Sequence, residues 1–78
     1  MRKKELRLVV TFASTHQAMK MEQYAKDEKI RGRIIPLPRE ISAGCGLCYS
    51  APPEARDEVL SVVEKYELTP EQVVEIVI

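Results

Sequence analysis

The chain has 78 residues, room for one domain with a small core. A chain this size buries only about 60–65% of its unfolded surface, so a partner or second subunit would add stability. Its 12 Lys and Arg balance 12 Asp and Glu, and one Phe, three Tyr and no Trp are present, which argues against nucleic acid or an anionic membrane as the partner.

The start, Met1-Arg2-Lys3-Lys4-Glu5, is basic as a whole, and the apolar run that follows ends near Ala13. That run is too short to cross a membrane and lacks the small-residue cleavage site of a secretory signal. The expectation is a cytoplasmic protein, where two cysteines point to reactivity or metal binding rather than a structural staple. Leu6, Leu8, Val10 and Phe12 alternate with Arg7, Val9 and Thr11, the pattern of a strand with one apolar face. Ser14 or Thr15 can cap a following helix, because a hydroxyl accepts from the unbonded N–H groups of a first turn. Residues 16–29 hold no Gly or Pro. Ala18, Met21 and Ala25 form one helical stripe with Met19 and Tyr24 beside it, and Gly32 offers an end signal.

Residues 33–37 read as a second strand, placed at a sheet edge because Pro36 has no N–H to donate. A loop runs from Arg39 to about Gly46, and Leu47–Ala51 forms a third, shorter strand. Pro52-Pro53 with Glu54, Asp57 and Glu58 suits the start of a second helix. Ala55, Val59, Val62, Val63 and Tyr66 then recur at helical spacing through Glu67. Thr69-Pro70-Glu71-Gln72 has the form of a capping box that opens a single helical turn. The β-branched residues 73–78 predict a fourth strand, with a short helix through Glu75 as the competing reading.

The order βαββαβ predicts one α+β domain over residues 1–78 with the ferredoxin-like fold. Its four-stranded antiparallel sheet has the spatial order 4-1-3-2 and carries both helices on one face. In that topology the end of the first strand, the start of the first helix, the 39–46 loop and the turn at residues 68–70 share one end of the sheet. Ser14, Thr15 and His16 are therefore expected near Cys45.

The 39–46 loop holds the residues best suited to chemistry. Gly44 and Gly46 flank Cys45 and leave the backbone around its sulfur uncovered. A thiol reacts as its thiolate, which a helix N-terminus or a nearby cation favours. The first helix supplies the dipole, and Arg39 or His16 the charge. Such a sulfur can carry a persulfide, exchange disulfides or bind a metal; the plain alternative is a glycine-rich hairpin with an ordinary thiol. His16 reads equally as a polar residue on a surface helix.

Cys45-Gly46-Leu47-Cys48 is a CxxC. Three residues of extended strand cover roughly 10 Å, whereas a disulfide needs Cα atoms within about 7 Å. A turn at residues 44–46 is needed to bring the two together; otherwise Cys48 is a small buried hydrophobe in the third strand. Two Cys and one His do not complete a structural zinc site, so no metal is expected from one chain, although a symmetric dimer would supply four thiolates.

With these residues in view, the sequence resembles the small family of selenium/sulfur carrier-like proteins, formerly a domain of unknown function. The resemblance runs along most of the chain. It is carried by Thr11-Phe12-Ala13-Ser14-Thr15-His16-Gln17-Ala18 and by Ile35-Pro36-Leu37-Pro38-Arg39-Glu40-Ile41-Ser42-Ala43-Gly44-Cys45-Gly46-Leu47. It implies that Cys45 is the carrier thiol, with Arg39 and Ser42 shaping its loop. Cys48 stands where many relatives carry another residue, which leaves the part of a second thiol open. The implied function is that of a carrier, rather than a turnover enzyme, that takes sulfur or selenium from a donor protein and yields it to an acceptor. It needs no organic cofactor, and a homodimer is compatible with it. A non-catalytic interaction module and a dithiol redox or metal-binding module are the rival readings.

Overall fold

The computed structural model describes residues 4–39, 41 and 46–78. In chain order these form β1 (Leu6–Phe12), α1 (Thr15–Asp27), β2 (Arg33–Pro36), β3 (Leu47–Ala51), a 3-10 turn at Pro53–Ala55, α2 (Arg56–Lys65) and β4 (Pro70–Val77). The sheet order is β2-β3-β1-β4, and every neighbouring pair is antiparallel. This is the ferredoxin-like arrangement the sequence predicts. The most apolar strands, β1 and β3, take the two central places, while β2 with Pro36 lies at an edge.

Period two divides the strands between two faces. Leu8, Val10, Phe12, Tyr49 and Ala51 face the helices and meet Ala18, Met21 and Ala25 from α1 and Val59 and Val62 from α2. The predicted α1 stripe is thus the buried one. Tyr24 joins the edge of this core by stacking on Tyr66, with ring centroids 3.9 Å apart and planes 4° from parallel. Lys65 and Tyr66 both donate to Glu28, at 2.8 and 3.0 Å, and so clamp the C-terminal ends of the two helices together.

The opposite face is apolar too. Val9 and Cys48 lie at its centre and are wholly buried with Ile41, surrounded by half-buried Ile35, Leu37, Val74, Ile76 and Ile78. The one-sided strand pattern of Leu6–Phe12 therefore understates the sheet, which has a second, smaller core under the segment that carries Ile41.

Three sequence expectations change. Gly32 does not end α1. The helix stops at Asp27, and Lys29 takes the left-handed conformation at φ 61°. Its N–H donates to the Lys26 carbonyl and that of Ile30 to the Ala25 carbonyl, the paired bonds of a Schellman ending. Gly32 is needed for a different reason. A β-carbon there would run into the Tyr49 hydroxyl and ring and come within 2.9 Å of the Ser50 carbonyl oxygen. The second helix also closes earlier than residue 67: Glu67, at φ 55°, makes the same ending after α2. Finally, no helical turn starts at Thr69. Pro70 already stands opposite Phe12 in the β1–β4 ladder, and pairing with a central strand outweighs the local capping-box signal.

Candidate functional site

Antiparallel pairing fixes which segments meet at one end of the sheet. Thr11 faces Cys48 across β1 and β3, Pro36 faces Leu47 across β2 and β3, and Phe12 faces Pro70 across β1 and β4. The end of β1, the start of α1, the approaches to the 39–46 loop and the turn before β4 therefore share this end. A hydrogen bond ties two of them: the Thr69 N–H donates to Gln17 Oε1 at 3.2 Å. No local pattern marks Gln17 for this role.

Ser14 is the N-cap of α1. Its backbone is extended (φ −137°, ψ 151°), and its Oγ accepts from the Gln17 N–H at 3.3 Å. Thr15 is the first residue of the helix, and both it and His16 are exposed. The first turn carries no acidic side chain, so nothing there offsets the positive end of the helix dipole.

The loop is anchored at both sides. The Leu37 N–H donates to the Gly46 carbonyl at 2.9 Å, and the Ile41 N–H to the Pro38 carbonyl at 3.1 Å. Arg39 is exposed in the resulting turn, while Ile41 is 8% exposed and packs on Val9 and Cys48. Ile41 is the anchor that sequence reasoning missed. Its signal was available, since it is the one large apolar residue between Leu37 and Leu47.

Gly46 is exposed at φ 74°, and a β-carbon there would meet nothing within 4 Å. Its conformation, not crowding, calls for glycine. The chain thus turns immediately before β3 rather than running straight through the CxxC. Cys48 lies inside the strand and is wholly buried, which matches its reading as a small core residue. Ser42, Gly44 and Cys45 lie outside the described residues, as does the expected approach of Ser14, Thr15 and His16 to Cys45.

Among the described residues no group of three His, Cys, Asp or Glu side chains could hold a metal ion, and no helix is long and apolar enough to cross a membrane. A family model described as "Putative Se/S carrier protein-like" matches residues 7–75. No curated protein and no solved structure matches the chain significantly.

Proposed function

Since the chain belongs to the Se/S carrier protein-like family, we propose that it carries sulfur or selenium on Cys45 between a donor protein and an acceptor. The match over residues 7–75 carries this reading. The loop's described parts support it: its two sides are pinned by Leu37, Gly46 and Ile41 at the end of the sheet where α1 begins.

Loading is a thiolate exchange. The Cys45 thiolate attacks the outer sulfur of a donor persulfide, a new S–S bond forms, and the donor's own S–S bond breaks as it departs as a thiolate. The outer atom now rides on Cys45 as a persulfide, or as its selenium counterpart. A nucleophile on the acceptor then attacks that atom, and Cys45 leaves as the thiolate it was. No net oxidant is needed and no organic cofactor takes part. Arg39 and the positive end of α1 would favour the anionic forms of the loaded and unloaded sulfur, with Ser14, Thr15, His16 and Ser42 as further donors and Gly44 and Gly46 leaving the backbone open. Donor and acceptor contacts are transient protein encounters in a reducing, cytoplasmic setting.

The test is loading with glutathione persulfide, followed by intact-protein and peptide mass spectrometry. One added sulfur on Cys45, removed by dithiothreitol and absent in Cys45→Ser, is the expected result. A Cys45 that gains nothing under conditions that persulfidate a small thiol overturns it and leaves the interaction-module reading. Reversible loss of two hydrogens across Cys45 and Cys48 would instead indicate a dithiol module, a reading that the turn at Gly46 keeps open.

A further inference from the structure

The two edges of the sheet are built differently. β2 is four residues long and ends in Pro36, two features that blunt an edge against further pairing. β4 is eight residues long, carries no Lys, and has no Pro beyond its first residue. Its pairing with β1 is regular apart from one shift at Thr11/Phe12. A long, regular edge strand with neither a lysine nor an interior proline invites another strand.

The backbone phase of β4 shows what it offers. Glu5 and Ile78 exchange both hydrogen bonds, at 3.1 and 3.0 Å. Continuing at period two, Ile76, Val74 and Gln72 turn their N–H and C=O groups toward β1, opposite Arg7, Val9 and Thr11. The alternate residues Val73, Glu75 and Val77 present theirs at the outer edge.

We propose that two copies of this chain pair antiparallel through β4 about a two-fold axis at Val74, joining their sheets into one of eight strands. Facing residues in an antiparallel pair lie on the same side of the sheet, so only alternate registers exist, and the carboxylates choose among them. An axis at Val73 would set Glu71 opposite Glu75, and one at Glu75 would set the two copies of Glu75 against each other; like charges directly opposite destabilise a ladder. Axes at Gln72 or Ile76 leave just over half of the strand paired. An axis at Val74 overlaps residues 70–78, places each Glu71 opposite Val77 and each Glu75 opposite Val73, and brings the outward groups of Val73 and Glu75 into mutual hydrogen bonding. On the face away from the helices the two Val74 side chains meet, and the apolar strips of Val74, Ile76 and Ile78 run on into each other. Pairing of one strand covers less than the roughly 800 Å² per partner of a standard stable interface, so the dimer is reversible and concentration-dependent.

Sedimentation velocity from micromolar to millimolar protein should show monomer passing to dimer. Val74 facing Val74 is a non-hydrogen-bonded pair, with Cα atoms about 4.5 Å apart and within disulfide range. Val74→Cys in a Cys45→Ser background should therefore oxidise to a covalent dimer. Gln72→Cys in the same background, which faces Ile76 of the second copy, should not. Glu75→Pro removes an outward N–H without touching the bonds to β1, and should abolish the dimer while circular dichroism shows the fold kept. Monomer at millimolar concentration overturns the proposal. So does cross-linking of Gln72→Cys as readily as Val74→Cys, or a folded Glu75→Pro that still dimerises.

Discussion

Thr11 and Cys48 stand opposite each other across β1 and β3, and both are wholly buried on the sheet face away from the helices. Among the described residues the Thr11 hydroxyl has no hydrogen-bond partner. A buried hydroxyl without a partner keeps its desolvation cost without compensation. Thr11→Val retains the β-branched shape that suits a central strand and removes that cost. It should stabilise the protein by about 1 kcal/mol, read as a higher urea midpoint at unchanged slope. A loss of stability on this substitution would mean that the hydroxyl is bonded in solution.

Tyr49 shows the same imbalance on the helix side. Its hydroxyl is buried without a partner among the described residues, against the α-carbon of Gly32. Burial, with the Glu22 charge adding to it, pushes its pKa from 10.0 up to about 12. The native state thus holds this proton more tightly than the unfolded chain does. The resulting stability is complete below the unfolded pKa near 10 and is lost as pH rises through the folded value. Unfolding followed from pH 9 to about 12 should show a fall that Tyr49→Phe lacks. The same variant at neutral pH should be as stable as the parent or more so, because it discards an unsatisfied group.

Gly32→Ala drives a methyl into that phenol and toward the Ser50 carbonyl. Overpacking of this kind costs about 1–3 kcal/mol. Part of the cost should return in the Gly32→Ala/Tyr49→Phe double variant, since the two changes meet at one contact. Strict additivity in denaturant melts would show that the phenol oxygen is not what resists the methyl.

Legibility followed the reach of each interaction. The alternation of Leu6 to Phe12 and the stripe of Ala18, Met21 and Ala25 are local signals, and both gave their elements directly. The βαββαβ order was enough for the topology, and through it for the meeting of α1 with the turn at Thr69. Thr69 to Gln72 misled because a capping box is also local, while the partner that overrode it, Phe12, lies far away in sequence. Gly32 misled because glycine serves both helix ends and close contacts, and only the position of Tyr49 separates the two. The second core was harder still. Val9, Cys48 and Ile41 come from three separate segments, and nothing but the register shows that they share a face. In the site, Ser14 as N-cap was legible from its hydroxyl, whereas Gln17 was not, because its partner is the distant Thr69.

Lys29 and Glu67 are the two non-glycine residues at positive φ among those described, and each ends a helix with the same pair of backbone bonds. A side chain in that conformation crowds the neighbouring carbonyl, which glycine avoids. Lys29→Gly and Glu67→Gly should each stabilise by about 0.5–1 kcal/mol, the gain from relieved strain exceeding the added freedom of the unfolded chain. For a domain of this size that is a rise in Tm of roughly 2–8 °C. Lys29 lies at the end of α1 away from the loop, so Lys29→Gly should leave persulfide loading unchanged. A lowered Tm would show that the lysine or glutamate side chain contributes more than its backbone conformation costs.

Burial governs the chemistry of Cys48. Cys48 lies at 0% exposure, packed with Ile41 and Val9 and flanked in the sheet by Thr11 and the half-buried Ile35. An alkylating agent can reach its sulfur only when this face opens, so its rate should follow local opening rather than intrinsic thiol reactivity. In a Cys45→Ser background, iodoacetamide should label Cys48 slowly in native buffer and promptly in denaturant. Ile41→Ala removes the cover and leaves a cavity, which should cost about 2–4 kcal/mol and speed native labelling well beyond the increase in the globally unfolded fraction. Comparing the labelling rate with the unfolding equilibrium in both backgrounds separates the two effects. If Cys48 is labelled in native protein as fast as an exposed thiol, the Ile41 segment does not cover it in solution. If Ile41→Ala changes labelling only in proportion to global unfolding, the segment contributes to stability without guarding this sulfur.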